Sequence, residues 1–130
     1  MSVLHGDFLT ADLEPGAFDV VTALASVHHL PFNAAIQRSR EVLRPGGTLL
    51  VLGIWTDNTT AVDQVLNRGA GLLNRLCQRI WGPDVMNAPA RMPAMTLRDV
   101  RRAAAVLVPR ATVRRHLLWR YVLVWHKPPD

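Results

Sequence analysis

Residues 18–25 read Phe-Asp-Val-Val-Thr-Ala-Leu-Ala, and residues 48–55 read Thr-Leu-Leu-Val-Leu-Gly-Ile-Trp. These two nearly unbroken apolar runs constrain the fold more than any other feature. A strand with one wet face alternates apolar and polar residues, whereas a strand without alternation is buried on both faces. The runs therefore predict a parallel sheet covered by helices. Between them, residues 33–43 have helical spacing, with Phe32, Ile36 and Leu43 close to one face and Asn33 as the expected N-cap. Arg44-Pro45-Gly46-Gly47 ends that helix. Pro disfavours the helical conformation in the residue before it, and Gly supplies a left-handed turn.

The flanking segments extend the pattern. Residues 3–8 read as the end of a strand running into Gly6-Asp7, and 9–17 as a loop with Pro15-Gly16 as its turn. Residues 59–81 read as a long helix, with Val62, Val65, Leu66, Leu73, Leu76, Cys77 and Ile80 at helical spacing and Arg68, Arg75 and Arg79 off that stripe. Gly69 and Gly71 each cost about 1 kcal/mol relative to Ala, which predicts a bend or break. Residues 82–95 hold three prolines and read as a loop. Thr96, with Asp99 three residues on, opens a further helix whose inner face is Leu97, Val100, Ala104 and Leu107, and Pro109 stops it. Residues 112–119 and 121–126 read as two strands with almost no linker, which forces an antiparallel pair.

Composition narrows the function classes. A chain of 130 residues, 49% hydrophobic and 19% charged, is one globular domain. No apolar run reaches the ~18 residues of a membrane span, so no membrane partner is expected. Met1 to Thr10 lacks a secretory pattern, and the single Cys77 fits a reducing compartment, so the expected location is cytoplasmic. One Cys and five scattered His give no metal-site spacing. Residues 1–67 hold three Arg and seven acids, a net −4; residues 68–130 hold eleven Arg, one Lys and three acids, a net +9. The Arg are spread over several elements, which reads as a solvated surface rather than a nucleic-acid footprint.

The order from residue 18 to 54, with its Phe18-Asp19 opening, His28-His29-Leu30 loop and Arg-Pro-Gly-Gly turn, resembles the middle of a class I S-adenosylmethionine-dependent methyltransferase of the small-molecule type. The resemblance implies an α/β, Rossmann-like sheet, mostly parallel, with an antiparallel C-terminal strand. In that family the strand order is three-two-one-four-five-seven-six. Residues 3–8 would then end the third strand, and 18–25, 48–55, 112–119 and 121–126 would be the fourth, fifth, sixth and seventh. Residues 1–130 read as a single, incomplete methyltransferase domain, with 82–95 where the family often places a substrate lid. The implied cofactor is S-adenosylmethionine.

Open α/β sheets bind ligands at the carboxyl ends of their strands. The resemblance places cofactor contacts at Asp7, Phe8, Ala23, Leu24 and Ala25. A carboxylate at Asp7 is a pure acceptor suited to the adenine amino group, and Phe8 offers a flat apolar face. His28 and His29 are the candidates for a catalytic base, since a neutral imidazole can take a proton near neutral pH. Adjacent residues in extended backbone point to opposite sides, which argues against a shared metal. In-line displacement at a sulfonium can run on proximity and orientation alone. Arg44-Pro45-Gly46-Gly47 lacks the Lys-Ser or Lys-Thr of a phosphate loop. Trp119, Arg120, Tyr121 and Trp125 could stack on a substrate, but aromatics on strands are expected in the core.

Two parts of the family pattern are not in this sequence: the Gly-rich first loop and the acid after the second strand. Without the strands that carry them, residues 18–25 become a bare apolar sheet edge, open to another strand. The expected activity is methyl transfer to a small-molecule acceptor, with this chain read as a truncated piece of the enzyme. The alternative is a non-catalytic module that binds an acidic partner or nucleic acid through the Arg-rich C-terminal half. A homo-oligomer joined through the exposed edge is the expected self-partner.

Overall fold

The computed structural model describes residues 3–56, 60–81 and 94–129. The two apolar runs form β1 (Phe18–Leu24) and β2 (Leu43–Ile54), which pair in parallel with Val21 opposite Leu49 and Ala23 opposite Val51. The helix between them is α1 (Phe32–Val42). It begins one residue before Asn33; Pro31 occupies the N-cap position and no side chain caps the end. Pro is tolerated there because the first helical N–H groups have no intrahelical acceptor.

The Arg-Pro-Gly-Gly turn acts as expected and does more. Phe18 pairs with Leu43 and Val20 with Thr48, so residues 44–47 loop out of the ladder between them. Gly46 takes φ +76°, and the Gly46 N–H donates to Lys127 O at 3.0 Å. A Cβ on Gly47 would lie 2.9 Å from Leu43 Cδ2 and from Arg44 O, closer than side chains pack. Lys127 Nζ then donates to Arg40 O at 2.8 Å and Leu43 O at 2.6 Å. A cation on the last carbonyls complements the negative end of a helix, so the C-terminal segment holds α1 in place.

The long helix α2 (Ala61–Trp81) is continuous through Gly69 and Gly71, so the expected break does not occur. Helix α3 (Leu97–Leu107) opens with the capping box read from Thr96 and Asp99. Asp99 N donates to Thr96 Oγ1 at 3.2 Å, and Thr96 N donates to Asp99 Oδ2 at 3.0 Å. Bonds from the Thr96 side chain and backbone hold the Asp99 carboxyl below its ordinary range. Strands β3 (Thr112–His116) and β4 (Arg120–His126) are the expected antiparallel hairpin. Its first strand stops three residues early, because Leu118 and Trp119 take φ +60° and +55° to close the turn.

The sheet order is β1-β2-β4-β3, with β4 antiparallel to both neighbours. On one face Leu49, Val51, Tyr121, Leu123 and Trp125 join Ile36 of α1 and Val100 and Ala104 of α3 in the core. The aromatic pair Tyr121 and Trp125 is buried as expected, and Trp125 Nε1 donates to Pro109 O at 3.1 Å. On the other face Val20 and Leu24 are exposed, and Leu50, Leu52, Val122 and Val124 are half-buried.

One expected strand is absent. Residues 3–8 are irregular, with Val3 84% and Leu4 66% exposed. A strand needs a neighbour to satisfy its backbone, and no described strand lies beside this segment. The chain instead forms a local turn, in which Thr10 N and Ala11 N donate to Asp7 O. Arg38 of α1 anchors it, donating from Nη2 to Ala11 O at 2.8 Å.

Candidate active site

The candidate site lies at the carboxyl ends of β1 and β2. Ala25 leaves β1 at φ +49°, a left-handed conformation uncommon for a residue with a Cβ. Its N–H donates to Leu52 O at 2.7 Å, which holds the reversal. A 3₁₀ turn, Val27–His29, follows at once and leads into α1.

Two cavities flank this turn. One, of about 260 Å³, is walled by Phe8, Val21, Ala23, Val27, Ile36 and Ser39. Its lining is mainly apolar, with Thr22, Ser26 and Ser39 as the hydroxyl-bearing members, and the buried Ser39 hydroxyl already donates to Ala35 O at 2.8 Å. The other, of about 180 Å³, lies at the end of β2 and is lined by His28, Phe32, Ile54, Met95, Val100 and Tyr121. Thr56 N donates to Met95 O at 2.9 Å, which ties the start of α3 to the end of β2.

The sequence-derived residues divide between these places. Phe8 and Ala23 meet at the first cavity. Asp7 precedes Phe8, is exposed, and uses Oδ1 to accept the Leu9 N–H at 2.9 Å. This Asx turn leaves Oδ2 with no hydrogen bond among the described residues. Leu24 does not join them: it is 64% exposed on the open face, because successive strand residues alternate sides. Ala25 is exposed beyond the strand end. The Arg44–Gly47 turn lies at the opposite end of β2, consistent with its reading as a helix stop.

His28 lines the second cavity, and its Nδ1 is buried without a hydrogen-bond partner among the described residues. Burial first, and then the neighbouring His29, lower its pKa below the ordinary histidine value. The two rings do not point apart as extended backbone would place them. The 3₁₀ turn brings their centroids to 4.0 Å. Among the described residues no cluster of three His, Cys, Asp or Glu could hold a metal.

Sequence reasoning placed Tyr121 in the core and missed that it also walls the second cavity. Its ring lies over Gly53 of β2, where any Cβ would collide with it. Burial pushes the Tyr121 hydroxyl up to about 12. The Gly53–Tyr121 pairing depends on cross-strand register, which the sequence does not display. The expected lid at 82–95 lies outside the described residues except for Ala94 and Met95, both at the second cavity.

Residues 1–51 match the family described as a methyltransferase domain. Uncharacterized methyltransferases of Mycobacterium tuberculosis and Mycobacterium bovis are 32% identical over 132 residues, covering 96% of this chain and 64% of theirs. These matches make the chain similar to the class I S-adenosylmethionine-dependent methyltransferases. The fold agrees. A methyltransferase from Methanosarcina mazei superposes with a TM-score of 0.57 at 11% identity, over 96% of this chain and 66% of that one. A Haemonchus contortus N-methyltransferase, solved with phosphomonomethylethanolamine and S-adenosylhomocysteine, superposes at 0.52 with 17% identity, over 83% of this chain and 22% of that one. The observed order β1-β2-β4-β3 is the four-five-seven-six half of the class I sheet.

S-adenosylmethionine is the methyl donor of this family. The residues present fit its adenine end: an acceptor oxygen on Asp7 with no hydrogen-bond partner among the described residues, a flat ring at Phe8, and a mainly apolar cavity against Ala23. The sequence before β1 holds no Gly-rich loop for the methionine end. This chain spans 64% of the length of its mycobacterial relatives.

Proposed function

We propose that the whole enzyme transfers a methyl group from S-adenosylmethionine to a small-molecule acceptor, and that this chain supplies the adenine contact and the acceptor side. The observation that carries this reading is the pair of cavities at the carboxyl ends of β1 and β2, where class I sheets do their chemistry. When bound, S-adenosylmethionine supplies an electrophilic methyl group on a sulfonium. The chain's own residues bind and orient. Asp7 Oδ2 accepts from the adenine amino group, and Phe8 and Ala23 exclude water from the ring. On the acceptor side, His28 lines the cavity and is the proposed base. Its lowered pKa favours the neutral imidazole, the form that can take the proton an acceptor hydroxyl or amine releases. The cavity volume of about 180 Å³ supports a small acceptor. The segment 82–95 is the proposed lid.

Asp7→Asn tests the adenine contact. Asn keeps an oxygen for the Leu9 N–H and puts an NH₂ donor against the adenine donor. In the chain joined to the N-terminal third of a mycobacterial relative, calorimetry should show S-adenosylmethionine affinity reduced roughly tenfold or more, with an unchanged melting temperature. A lower melting temperature with unchanged affinity would leave Asp7 a purely structural role. We also infer that copies of this chain associate through the open edge of β1, on which Val20 is 55% and Leu24 64% exposed.

A further inference from the structure

Helix α2 carries an apolar stripe that packs against nothing in the core among the described residues. Val62, Val65, Leu66, Leu73, Leu76 and Ile80 are each between 46% and 73% exposed. At 100° per residue they fall within an arc of about 100°. They run the whole helix, a length of about 31 Å. Arg68, Arg75 and Arg79 are exposed and lie together along one flank of the stripe. The helix sequence contains one acid, Asp63, against these three cations.

We propose that α2 docks on an anionic lipid surface, with the apolar stripe in the acyl boundary and the Arg flank on the headgroups. A helix of this kind, with a broad apolar face, a basic flank and modest overall hydrophobicity, lies in the membrane interface plane. Charge selects this occupant over the others. An antiparallel second α2 would place cationic flank near cationic flank, and in either orientation Gly69 leaves a gap in the middle of the contact. The open face of the sheet is apolar too, but exposed Arg114 and Arg120 stand along its β3–β4 margin. Closing α2 onto that face would again bring like charges together. Nucleic acid would satisfy the Arg flank and leave the apolar stripe in water. A surface both anionic and apolar answers both halves of the helix. Docking adds to methyl transfer and does not depend on it.

Vesicle flotation of the 130-residue chain tests the proposal. The variant Val20→Lys serves as a parallel background, so that association through β1 does not carry protein with the lipid. Vesicles containing about a third phosphatidylglycerol should bind at least ~10-fold more chain than phosphatidylcholine vesicles, and salt near ~0.5 M should remove most of the difference. Leu73→Asp should abolish binding to both. Arg75→Glu with Arg79→Glu should erase the preference for phosphatidylglycerol. These residues are exposed, so circular dichroism should show the fold intact. No binding to phosphatidylglycerol vesicles, or equal binding to both vesicle types, would overturn the proposal. So would a lipid-free oligomer that persists in Val20→Lys and dissolves on Leu73→Asp, since a second copy would then be the occupant.

Discussion

Helices α2 and α3 carry the same signal in the sequence and meet opposite fates. Both place apolar residues at three- and four-residue spacing. In α3, Leu97, Val100 and Ala104 are 5%, 1% and 2% exposed, packed against the sheet and α1. In α2 the comparable residues remain in water. The difference lies at the ends of the helices. Thr96 and Asp99 fix where α3 begins, and the Thr56–Met95 hydrogen bond fastens that start to the end of β2. Pro109 then turns the chain into β3, so α3 is tied to the sheet at both ends. Periodicity shows that a helix has a face to bury. Connections decide what the face can reach.

Polar substitutions on the two inner stripes break the comparison most strongly. Val100→Asp buries a carboxylate with no partner and should cost at least ~3 kcal/mol, seen as loss of the cooperative thermal transition. Leu73→Asp should shift stability by less than ~0.5 kcal/mol, because its site is already wet. Similar losses from both would mean that α2 is packed in solution. Glycines give the next contrast. Gly53→Ala drives a methyl into the Tyr121 ring and should destabilise by ~2 kcal/mol or more. Gly69→Ala meets nothing within 4 Å and should raise helix content, with a gain of up to ~1 kcal/mol. A loss at Gly69 in denaturant titrations would show that a close approach needs the glycine.

The parallel pairing of β1 and β2, the α3 capping box and the C-terminal hairpin were all legible, because each rests on local pattern or on linker length; the strand order came from the family resemblance. The helix stop at Pro45-Gly46-Gly47 was legible for the same reason. Residues 3–8 were misread because their apolar run needs a neighbouring strand that no described residue supplies. His28 and His29 were expected on opposite sides because the sequence does not mark a 3₁₀ turn. Asp7, Phe8 and Ala23 were found through the family's motif, and the structure brings Phe8 and Ala23 to one cavity. Leu24 was carried over with them although strand alternation already sends it to the other face. The unpaired Nδ1 of His28 and the ring of Tyr121 over Gly53 arise from tertiary register, which one sequence does not encode visibly. A search for long apolar runs likewise passes over α2, whose apolar residues form a stripe rather than a run.

The smallest effect on the folded monomer, and the largest on its company, belongs to the two sheet edges. The β3 edge carries Arg114 and Arg115, and charge on an edge strand discourages a further strand. The β1 edge carries Phe18, Val20 and Leu24, exposed by 39%, 55% and 64%. Its one acid, Asp19, is held by Arg44 at 2.6 Å. An antiparallel pairing of two β1 strands centred on Val21 would set Phe18 opposite Leu24 and Val20 opposite Thr22, with no like charges facing. Such cross-strand apolar pairs each stabilise by some tenths of a kcal/mol beyond the backbone bonds. Val20→Lys should leave monomer stability within ~0.5 kcal/mol of the parent. It should also convert a concentration-dependent dimer into a monomer in sedimentation velocity. The same charge at Val21 or Ala23 would instead enter the half-buried helix side and unfold the protein. A parent chain that sediments as a monomer at every concentration would show that β1 does not recruit a second copy, and the asymmetry between the two edges would then lack a consequence in solution.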